Sequence, residues 1–406
     1  MEALVVGGGP VGLFAAACLH ERGVEVAVVD AEWERPVRSH ACALHPGTLR
    51  LFDRLGLMPA LQELAHRVDR AFVYRATERV ATADFGALAG PFPHVLTLPQ
   101  SDLRDLLARE LERLGVEVCT RQEVTKLIPS DDFVCTEVVS KRALPRGASE
   151  PEGDILGADP VARRAEYVIA ADGYHSMCRH AAGIELIDLQ QSEAFAMFDF
   201  EADLGELEHE AHLIVGKDAV SAFWPLGPQQ GRWTFQMREH LDEAPSIELL
   251  AELLQRRAPW FHPRPEQLAW STIAHFERRV ARRFGAGRVW LAGDSAHVTS
   301  PIGFQNMNRG FVEASELADV INATLQGEPA AAGGFERLER GQQAEWRRLF
   351  GLGVRVVSQG SLSVLDGARL VPCLPASGRD LDALLGQLDL RLMPTWGSVR
   401  PGVRSG

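Results

Sequence analysis

The first thirty residues carry the pattern that most constrains the fold of this chain. Residues 3–6 are apolar and lead into GGGPVG at residues 7–12, after which apolar residues recur at helical spacing. A second apolar run covers residues 24–29 and is closed by Asp30, which lies 18 residues beyond Gly12. Strand, GxGxxG turn, helix, strand and terminal acid in this order are typical of the βαβ unit that binds dinucleotides. The pattern therefore predicts an α/β fold with a Rossmann-like domain.

Each part of this unit has a physical role in binding a pyrophosphate. Gly7 permits a tight turn, Gly9 lets the backbone approach the phosphates, and Gly12 allows the helix to pack closely on the strand. The helix N-terminus adds free N–H groups and the positive end of its dipole. A carboxylate at Asp30 can accept hydrogen bonds from ribose hydroxyls. These residues predict a dinucleotide site but do not distinguish FAD from NAD.

Two later segments show an apolar strand that ends in an aspartate beside a glycine. Residues 168–179 read VIAADGYHSMCR, with an Asp-Gly pair at the strand end. Residues 287–297 read GRVWLAGDSAH, with Asp294 at the strand end, and the next loop leads to a helix predicted to begin near Asn308. Ligands of open α/β sheets gather at the carboxyl ends of the strands, and a helix start directs N–H groups at an anion. Both segments are therefore candidate parts of one site.

The three motifs, taken in chain order, resemble those of a known flavoprotein family. GxGxxG at 7–12, DGxxSxxR at 172–179 and GDxAHxxxP at 293–301 are similar to the motifs of the class A FAD-dependent aromatic monooxygenases, the para-hydroxybenzoate hydroxylase-like family. LPQSDL at 98–103 and FWPL at 223–226 also resemble family segments. The resemblance implies FAD as the cofactor and NADH or NADPH as a transient reductant. It also implies a Rossmann-like FAD-binding domain interleaved with a β-sheet substrate domain and followed by a helical C-terminal region.

The resemblance assigns an expected role to each matching residue. The cofactor-binding candidates are Gly7, Gly9, Gly12, Asp30, Arg38, Gln100, Asp172, Gly173, Asp294, Pro301, Gly303, Asn306, Met307 and Asn308. Asp172 and Gly173 match a motif associated with both FAD and transient NAD(P)H contact. The catalytic candidates are Pro225, Met307 and Asn308. A proline at a strand end near the flavin ring recurs in the family, and N–H groups near Met307 and Asn308 would stabilise negative charge at the N1/O2 edge.

The sequence also departs from the family pattern at three positions. Asn306 stands where the family often has glycine, and Asn tolerates positive φ better than other non-glycine residues, so the turn is expected to survive. Its side chain is expected to alter the flavin pocket. Glu313 replaces the usual aspartate of the following helix. His40 stands where an arginine is usual, which weakens the assignment of Arg38.

Short β-rich segments between the motifs predict a second, sheet-built domain. These segments are Ala194–Phe200, His212–Val215, Val220–Trp224 and Arg232–Met237. The predicted division is 1–70, 100–181 and 277–350 for the FAD-binding domain, 71–99 and 182–276 for the substrate domain, and 351–406 for a C-terminal helical segment. Tentative substrate contacts are Phe195, Met197, Phe223 and Trp224, although an aromatic residue on a strand more often belongs to the core. His212, His275 and Tyr174 are weak candidates for a catalytic base.

The resemblance implies a reaction in which NAD(P)H reduces FAD, O2 adds to give a C4a-hydroperoxyflavin, and one oxygen atom is transferred to an aromatic carbon. The segments predicted to line the substrate pocket carry few anchors for a small carboxylate, which favours a bulky, mainly apolar aromatic substrate. Two kinds of alternative stay open. The same fold can serve epoxidation, Baeyer–Villiger oxidation or prenyl reduction, and the chain could also be a catalytically silent FAD-binding protein.

Composition excludes several classes of function and suggests a compartment. Lys and Arg number 42 against 55 Asp and Glu, so the formal charge of −13 argues against a nucleic-acid partner. The six cysteines are widely spaced, which is typical of reduced thiols in the cytoplasm and predicts no metal site. No leader peptide and no apolar run of about 18 residues is evident, so a cytoplasmic protein without a transmembrane segment is expected. The sequence does not indicate an oligomeric state.

Overall fold

The computed structural model of the protein describes most of the first 357 residues. The described residues are 1–32, 43–88, 90–142, 155–216, 219–238, 244–299, 301–303 and 305–357. Arg38 and His40 lie outside them. Most of the predicted C-terminal segment 351–406 also lies outside, apart from the helical residues 351–357.

The described residues form twenty strands and eight α-helices. The strands are β1 (Ala3–Val6), β2 (Val26–Val29), β3 (Ala43–Leu44), β4 (His66–Val68), β5 (Arg70–Arg75), β6 (Glu78–Asp84), β7 (Val95–Thr97), β8 (Glu117–Cys119), β9 (Gln122–Pro129), β10 (Val134–Arg142), β11 (Ile155–Ala165), β12 (Tyr167–Ala170), β13 (Leu186–Glu201), β14 (Glu210–Val215), β15 (Val220–Gly227), β16 (Gln230–Met237), β17 (Gln267–Ala281), β18 (Gly285–Ala286), β19 (Val289–Leu291) and β20 (His297–Val298). The helices are α1 (Pro10–Glu21), α2 (Pro46–Arg54), α3 (Met58–Leu64), α4 (Gln100–Arg113), α5 (Met177–Ala181), α6 (Ile247–Arg257), α7 (Gln305–Leu325) and α8 (Gly334–Val357).

A six-stranded sheet with the order β18-β19-β12-β1-β2-β8 is the nucleotide-binding part of the fold. Its strands from β19 to β8 pair in parallel, and the short β18 adds an antiparallel edge. Strands β1, β2 and β12 are buried along their whole length, because a parallel sheet is covered on both faces. The Rossmann-like α/β prediction is confirmed.

Two different layers cover the faces of this sheet. On one face, apolar residues of α1, α2, α4 and α7 form one core, in which Phe14, Phe52 and Phe311 meet with ring centroids 5.0 to 5.2 Å apart. On the other face, strands β9 to β11 form a three-stranded antiparallel sheet and share a core with Cys178 and Trp346. Trp346 belongs to α8, so this last described helix reaches the central sheet.

An eight-stranded sheet with the order β20-β17-β13-β16-β15-β14-β5-β6 forms the second large layer. Its pairs are antiparallel except for β14 with β5. The four β-rich segments predicted from sequence all lie in it. Phe223 faces the layer of α6, where it packs with Trp233 and Phe261, whereas Trp224 packs on the opposite face with Phe195.

The strands of the two large sheets alternate along the chain. Strands β5 and β6 lie between β2 and β8 in sequence, and strands β13 to β17 lie between β12 and β18. Sheet-forming segments of the second layer are therefore inserted into the connections of the first. The domain boundaries themselves stay a prediction. No helix in the described part of the chain is both long and apolar enough to cross a membrane.

Candidate functional site

A cavity of about 600 Å³ opens at the carboxyl ends of β1, β2, β12 and β19. Most of the residues predicted to bind the cofactor line it. They are Gly7, Gly9, Gly12, Asp30, Gln100, Asp172, Gly173, Asp294, Pro301, Asn306 and Met307. The segments of all three sequence motifs thus meet at one place, although more than 280 residues separate the first from the last.

The glycine-rich turn shows a separate physical reason for each of its motif glycines. Gly7 has φ of +111°, and a Cβ there would lie 2.1 Å from the carbonyl oxygen of Ala171. A Cβ on Gly12 would lie 2.0 Å from the carbonyl oxygen of Gly7. A Cβ on Gly9 would meet no atom within 4 Å, although Gly9 lines the cavity. Gly7 and Gly12 must be glycine because a Cβ would collide with the backbone. Gly9 leaves the cavity open in front of the turn.

Arg104 on α4 is a charged residue of this site that sequence reasoning missed. Its Nη2 donates to Oδ2 of Asp30 at 2.9 Å, and its Nε donates to the carbonyl oxygen of Gly8 at 2.9 Å. Glu32 lines the same cavity, and its pKa is raised mainly by burial and secondly by the negative charge of Asp30. Arg104 directly follows the LPQSDL segment, so its position in sequence was the available signal.

The second motif is a connected set of hydrogen bonds. Asp172 accepts from the Ser176 hydroxyl at 2.5 Å and from the Cys178 N–H at 3.0 Å. Ser176 Oγ accepts from the Arg179 N–H at 2.9 Å. The buried Arg179 guanidinium donates to the Ser295 carbonyl oxygen at 3.0 Å. Arg179 therefore ties the second motif to the third.

The third motif forms a polar network with the start of α7. Asn306 lies in the first turn of α7, which begins three residues before the predicted start near Asn308. Asn306 Nδ2 donates to Oδ1 of Asp294 at 3.0 Å, and its Oδ1 lies 3.2 Å from Nδ1 of His297. Nε2 of His297 lies 2.7 Å from Oε2 of Glu313. Sequence reasoning did not assign a role to His297.

The two carboxylates of this network differ in their electrostatics. Burial opposes ionisation of Glu313, but the charge of His297, its hydrogen bond, and Arg309 and Trp346 together lower the pKa of Glu313. Burial raises the pKa of Asp294, and His297 opposes that shift. Asp294 is enclosed by protein yet reached by solvent through the cavity, which it lines. It is the network residue best placed to contact a ligand.

The predicted catalytic candidates have different surroundings. Met307 lines the cavity, but Asn308 does not. Asn308 is fully buried and binds away from the cavity: its Oδ1 accepts from the His45 N–H at 2.9 Å and the Thr48 hydroxyl at 2.7 Å. Pro225 lies in β15, and its carbonyl oxygen accepts from Thr97 Oγ1 at 2.6 Å. Pro225 is not among the described residues that line the cavity, and the surroundings of Gly303 lie outside what the structure describes.

The substrate candidates divide between two faces of the eight-stranded sheet. Phe195, Met197 and Trp224 share an apolar cluster against which Phe276 packs. Phe276 lines the cavity and lies edge-to-face on Phe195 at 5.6 Å, so this face adjoins the cofactor site. Phe223 lies on the other face, because adjacent strand residues point in opposite directions.

The three candidates for a base are also separated. His212 lies with Phe223 behind the sheet, and burial lowers its pKa to about 3. His275 is exposed. The Tyr174 hydroxyl donates to Glu277 at 2.5 Å, which raises the pKa of Tyr174. His212 cannot act as a base at the cavity, because a whole sheet stands between them.

The donor set at the cavity fits a ligand with a pyrophosphate. The N-cap of α1 is Gly9, which has no side chain to occupy the free N–H groups, and the first turn of α1 contains no acidic residue. Those N–H groups and the Arg104 guanidinium are suited to phosphate oxygens. The open space in front of Gly9 leaves room for the phosphates to approach the backbone. The arrangement fits FAD.

Comparisons with known proteins agree with this geometry. A family model described as "FAD binding domain" matches residues 1–339. Para-nitrophenol 4-monooxygenase of Pseudomonas sp. (strain WBC-3) is 28% identical over 331 residues, which cover 80% of this chain and 78% of that protein. 6-Methylpretetramide 4-monooxygenase of Streptomyces rimosus is 27% identical over 333 residues, which cover 80% of this chain and 56% of that protein.

A solved structure shows the same fold. The crystal structure of p-nitrophenol 4-monooxygenase from Pseudomonas putida DLL-E4 aligns with a TM-score of 0.71 at 24% identity, covering 96% of both chains. Several of the curated relatives are longer, and the chain spans only 56% to 62% of three of them.

Proposed function

Because the chain belongs to the FAD binding domain family, the class A flavoprotein monooxygenases, we propose that it hydroxylates an aromatic small molecule with FAD, NAD(P)H and O2. The observation that carries the proposal is the single cavity at which all three motif segments meet. This cavity combines the N-terminus of α1, which no side chain caps, with the Asp30–Arg104 ion pair and an adjoining apolar face of the eight-stranded sheet. A pyrophosphate cofactor and an aromatic substrate need these features side by side.

FAD, when bound, supplies hydride acceptance from NAD(P)H and the activation of O2. The protein contributes binding and orientation. The N-terminus of α1 and Arg104 would hold the pyrophosphate, with Asp30 beside the adenosine ribose. Asp294 and the first turn of α7, including Met307, would hold the flavin end. N–H groups at a helix start stabilise negative charge, which favours the reduced flavin.

We assign the substrate to the apolar face that adjoins the cavity. Phe195, Met197 and Trp224 with Phe276 offer aromatic and thioether contacts, which suit a bulky, mainly apolar aromatic ring system. Named relatives act on one-ring and multi-ring aromatics, including para-nitrophenol and anhydrotetracycline. In this proposal residues 71–99 and 182–276 form the substrate domain, and 1–70, 100–181 and 277–350 form the FAD-binding domain.

We also propose a cytoplasmic enzyme whose partners are O2 and the aromatic substrate. The four cysteines in the described part of the chain are all free thiols, which fits a reducing compartment. Fractionation of the native host, with detection of the chain, tests the location.

The test of the proposed function begins with purified full-length protein. We expect a yellow protein whose NAD(P)H oxidation accelerates with an aromatic substrate, and mass spectrometry should find a product heavier by one oxygen atom. A panel of phenols and polycyclic aromatics separates small from bulky substrates. A colourless protein that takes up no added FAD would overturn the proposal.

A glycine variant connects this activity to the cavity. Gly9→Ala adds a methyl group where nothing stands within 4 Å, so the free energy of unfolding should change by less than about 0.5 kcal/mol. The methyl group would occupy space needed by the phosphates, and FAD affinity should fall at least about tenfold. The matched control is Gly341→Ala on the exposed side of α8, which also has open space and should leave FAD affinity unchanged. Equal FAD affinity in both variants would contradict the assignment of the turn.

A further inference from the structure

Two residues that depart from the family pattern contact the same buried histidine. Asn306, where the family often has glycine, and Glu313, where aspartate is usual, lie against opposite ring nitrogens of His297. The distances are 3.2 Å to Asn306 Oδ1 and 2.7 Å to Glu313 Oε2. The two departures are therefore parts of one structure, although the chain separates them by seven positions.

The donors and acceptors of this cluster match without conflict. Asn306 Nδ2 donates to Asp294, so its Oδ1 is left to accept from Nδ1 of His297. Oε2 of Glu313 accepts from the Gly293 N–H at 3.2 Å and from Nε2 of His297. The two ring nitrogens of His297 therefore each face a side-chain oxygen, one from an amide and one from a carboxylate.

The far end of the cluster is supplied by α8, the last helix in the described part of the chain. Trp346 on α8 is 1% exposed and donates its indole N–H to Oε1 of Glu313 at 2.9 Å. Its ring stacks on His297 with the centroids 4.0 Å apart. Trp346 lies beyond residue 339, where the match to the family model ends. The match to the family model therefore does not include Trp346.

We propose that Trp346, Glu313, His297 and Asn306 form a positioning network that holds the Asp294 carboxylate at the wall of the FAD cavity. Through this network α8 sets the affinity for FAD. Asp294 and Asn306 are the network residues that line the cavity, and His297, Glu313 and Trp346 act through them. The inference rests on the part of the proposed function that locates FAD in this cavity, and not on the substrate.

The test measures the dissociation constant of FAD for the full-length apoprotein by quenching of flavin fluorescence. Asn306→Gly installs the residue common in the family and removes the link to Asp294. Trp346→Phe keeps a ring against His297 and removes only the indole donor. Each should weaken FAD binding about 3- to 20-fold, the range of coupling transmitted through packed networks.

A matched control separates the network from general loss of a buried indole. Trp233 is fully buried behind the eight-stranded sheet, and its indole N–H has no hydrogen-bond partner among the described residues. Trp233→Phe should change FAD affinity less than about twofold. Thermal melting of each apoprotein shows whether a variant is folded before its affinity is compared.

The double variant Asn306→Gly with Trp346→Phe distinguishes a network from two separate effects. If both act through His297, the combined loss of affinity is smaller than the product of the single losses. A multiplicative result, or folded variants with wild-type affinity, would overturn the network. Wild-type protein that takes up no FAD overturns the proposed function as well, so the two failures are distinguishable.

Discussion

His297 and His212 are both almost fully buried, at 0% and 3% exposure, yet their surroundings are opposite. His297 lies between an amide and a carboxylate at the end of the parallel sheet. His212 lies behind the eight-stranded sheet against the rings of Phe72 and Trp260, and its Nδ1 is 3.3 Å from the Tyr74 hydroxyl. Two histidines that are equally buried can therefore have very different neighbours: polar side chains flank His297, whereas aromatic rings pack against His212.

The largest effect is expected from removing His297. His297→Phe leaves the buried Glu313 carboxylate without the ring nitrogen that lies 2.7 Å from it, which should lower the free energy of unfolding by about 3–5 kcal/mol. His212→Phe, the same substitution in the aromatic surroundings, should cost less than about 1 kcal/mol at pH 7. Urea denaturation of the two variants at pH 7 checks this contrast. Equal losses would show that the amide and carboxylate contacts of His297 stabilise the fold no more than the aromatic contacts of His212 do.

A second prediction concerns the pH dependence that His212 gives to stability. Burial, aided by the charge of Arg79, lowers the pKa of His212 from 6.5 to about 3, so the unfolded chain binds its proton first as the pH falls. Stability is therefore lost progressively below pH 6.5, down to about 3. His212→Phe should remove this dependence and gain about 2 kcal/mol relative to wild type between pH 7 and pH 5. Urea titrations at the two pH values measure it, and parallel curves for variant and wild type would refute it.

The smallest change in stability is expected at Glu316, which lies one turn from Glu313 on α7. The pKa of Glu313 is lowered, whereas burial raises the pKa of Glu316 from 4.5 to about 7, against the opposing charge of Arg309. The folded protein therefore holds a proton on Glu316 that the unfolded chain has released, and stability falls as the pH rises through 7. Glu316→Gln should stabilise the protein by about 1–2 kcal/mol at pH 8 and change little at pH 5.

Thermal or urea unfolding at both pH values checks the glutamate prediction. Gln342 donates its amide N–H to Glu316, and a glutamine oxygen at 316 can still accept that bond. A variant with the same stability difference at pH 5 and pH 8 would contradict protonation of Glu316 as the cause.

Much of the fold could be predicted because it follows from local pattern. The strand, turn and helix at the N-terminus and the short β-rich segments each appear where hydrophobic period and turn chemistry indicate. Local pattern could not predict which face of a strand is turned toward the cavity. Phe223 and Trp224 are equally apolar in sequence, and only the position of α6 over one face decides which of them faces the cavity side.

The site residues show the same limit. The helix expected to begin near Asn308 begins at Gln305, and this earlier start, which places Asn306 in the first turn of α7, could not be read from the local pattern. Arg104 was missed because its partner Asp30 is 74 positions away. His297 lies inside a recognised motif, but the network around it includes Trp346, which lies 49 positions later in the chain.

By itself, the sequence determined the glycine turn, the parallel sheet and the presence of a dinucleotide site. These depend on steric limits and periodicities that act between residues close in the chain. Only the tertiary structure decided which carboxylates are paired, which histidine lies against a carboxylate and which aromatic face adjoins the cavity. Those properties depend on contacts within a few ångströms, and folding brings together at such distances residues that the chain holds far apart.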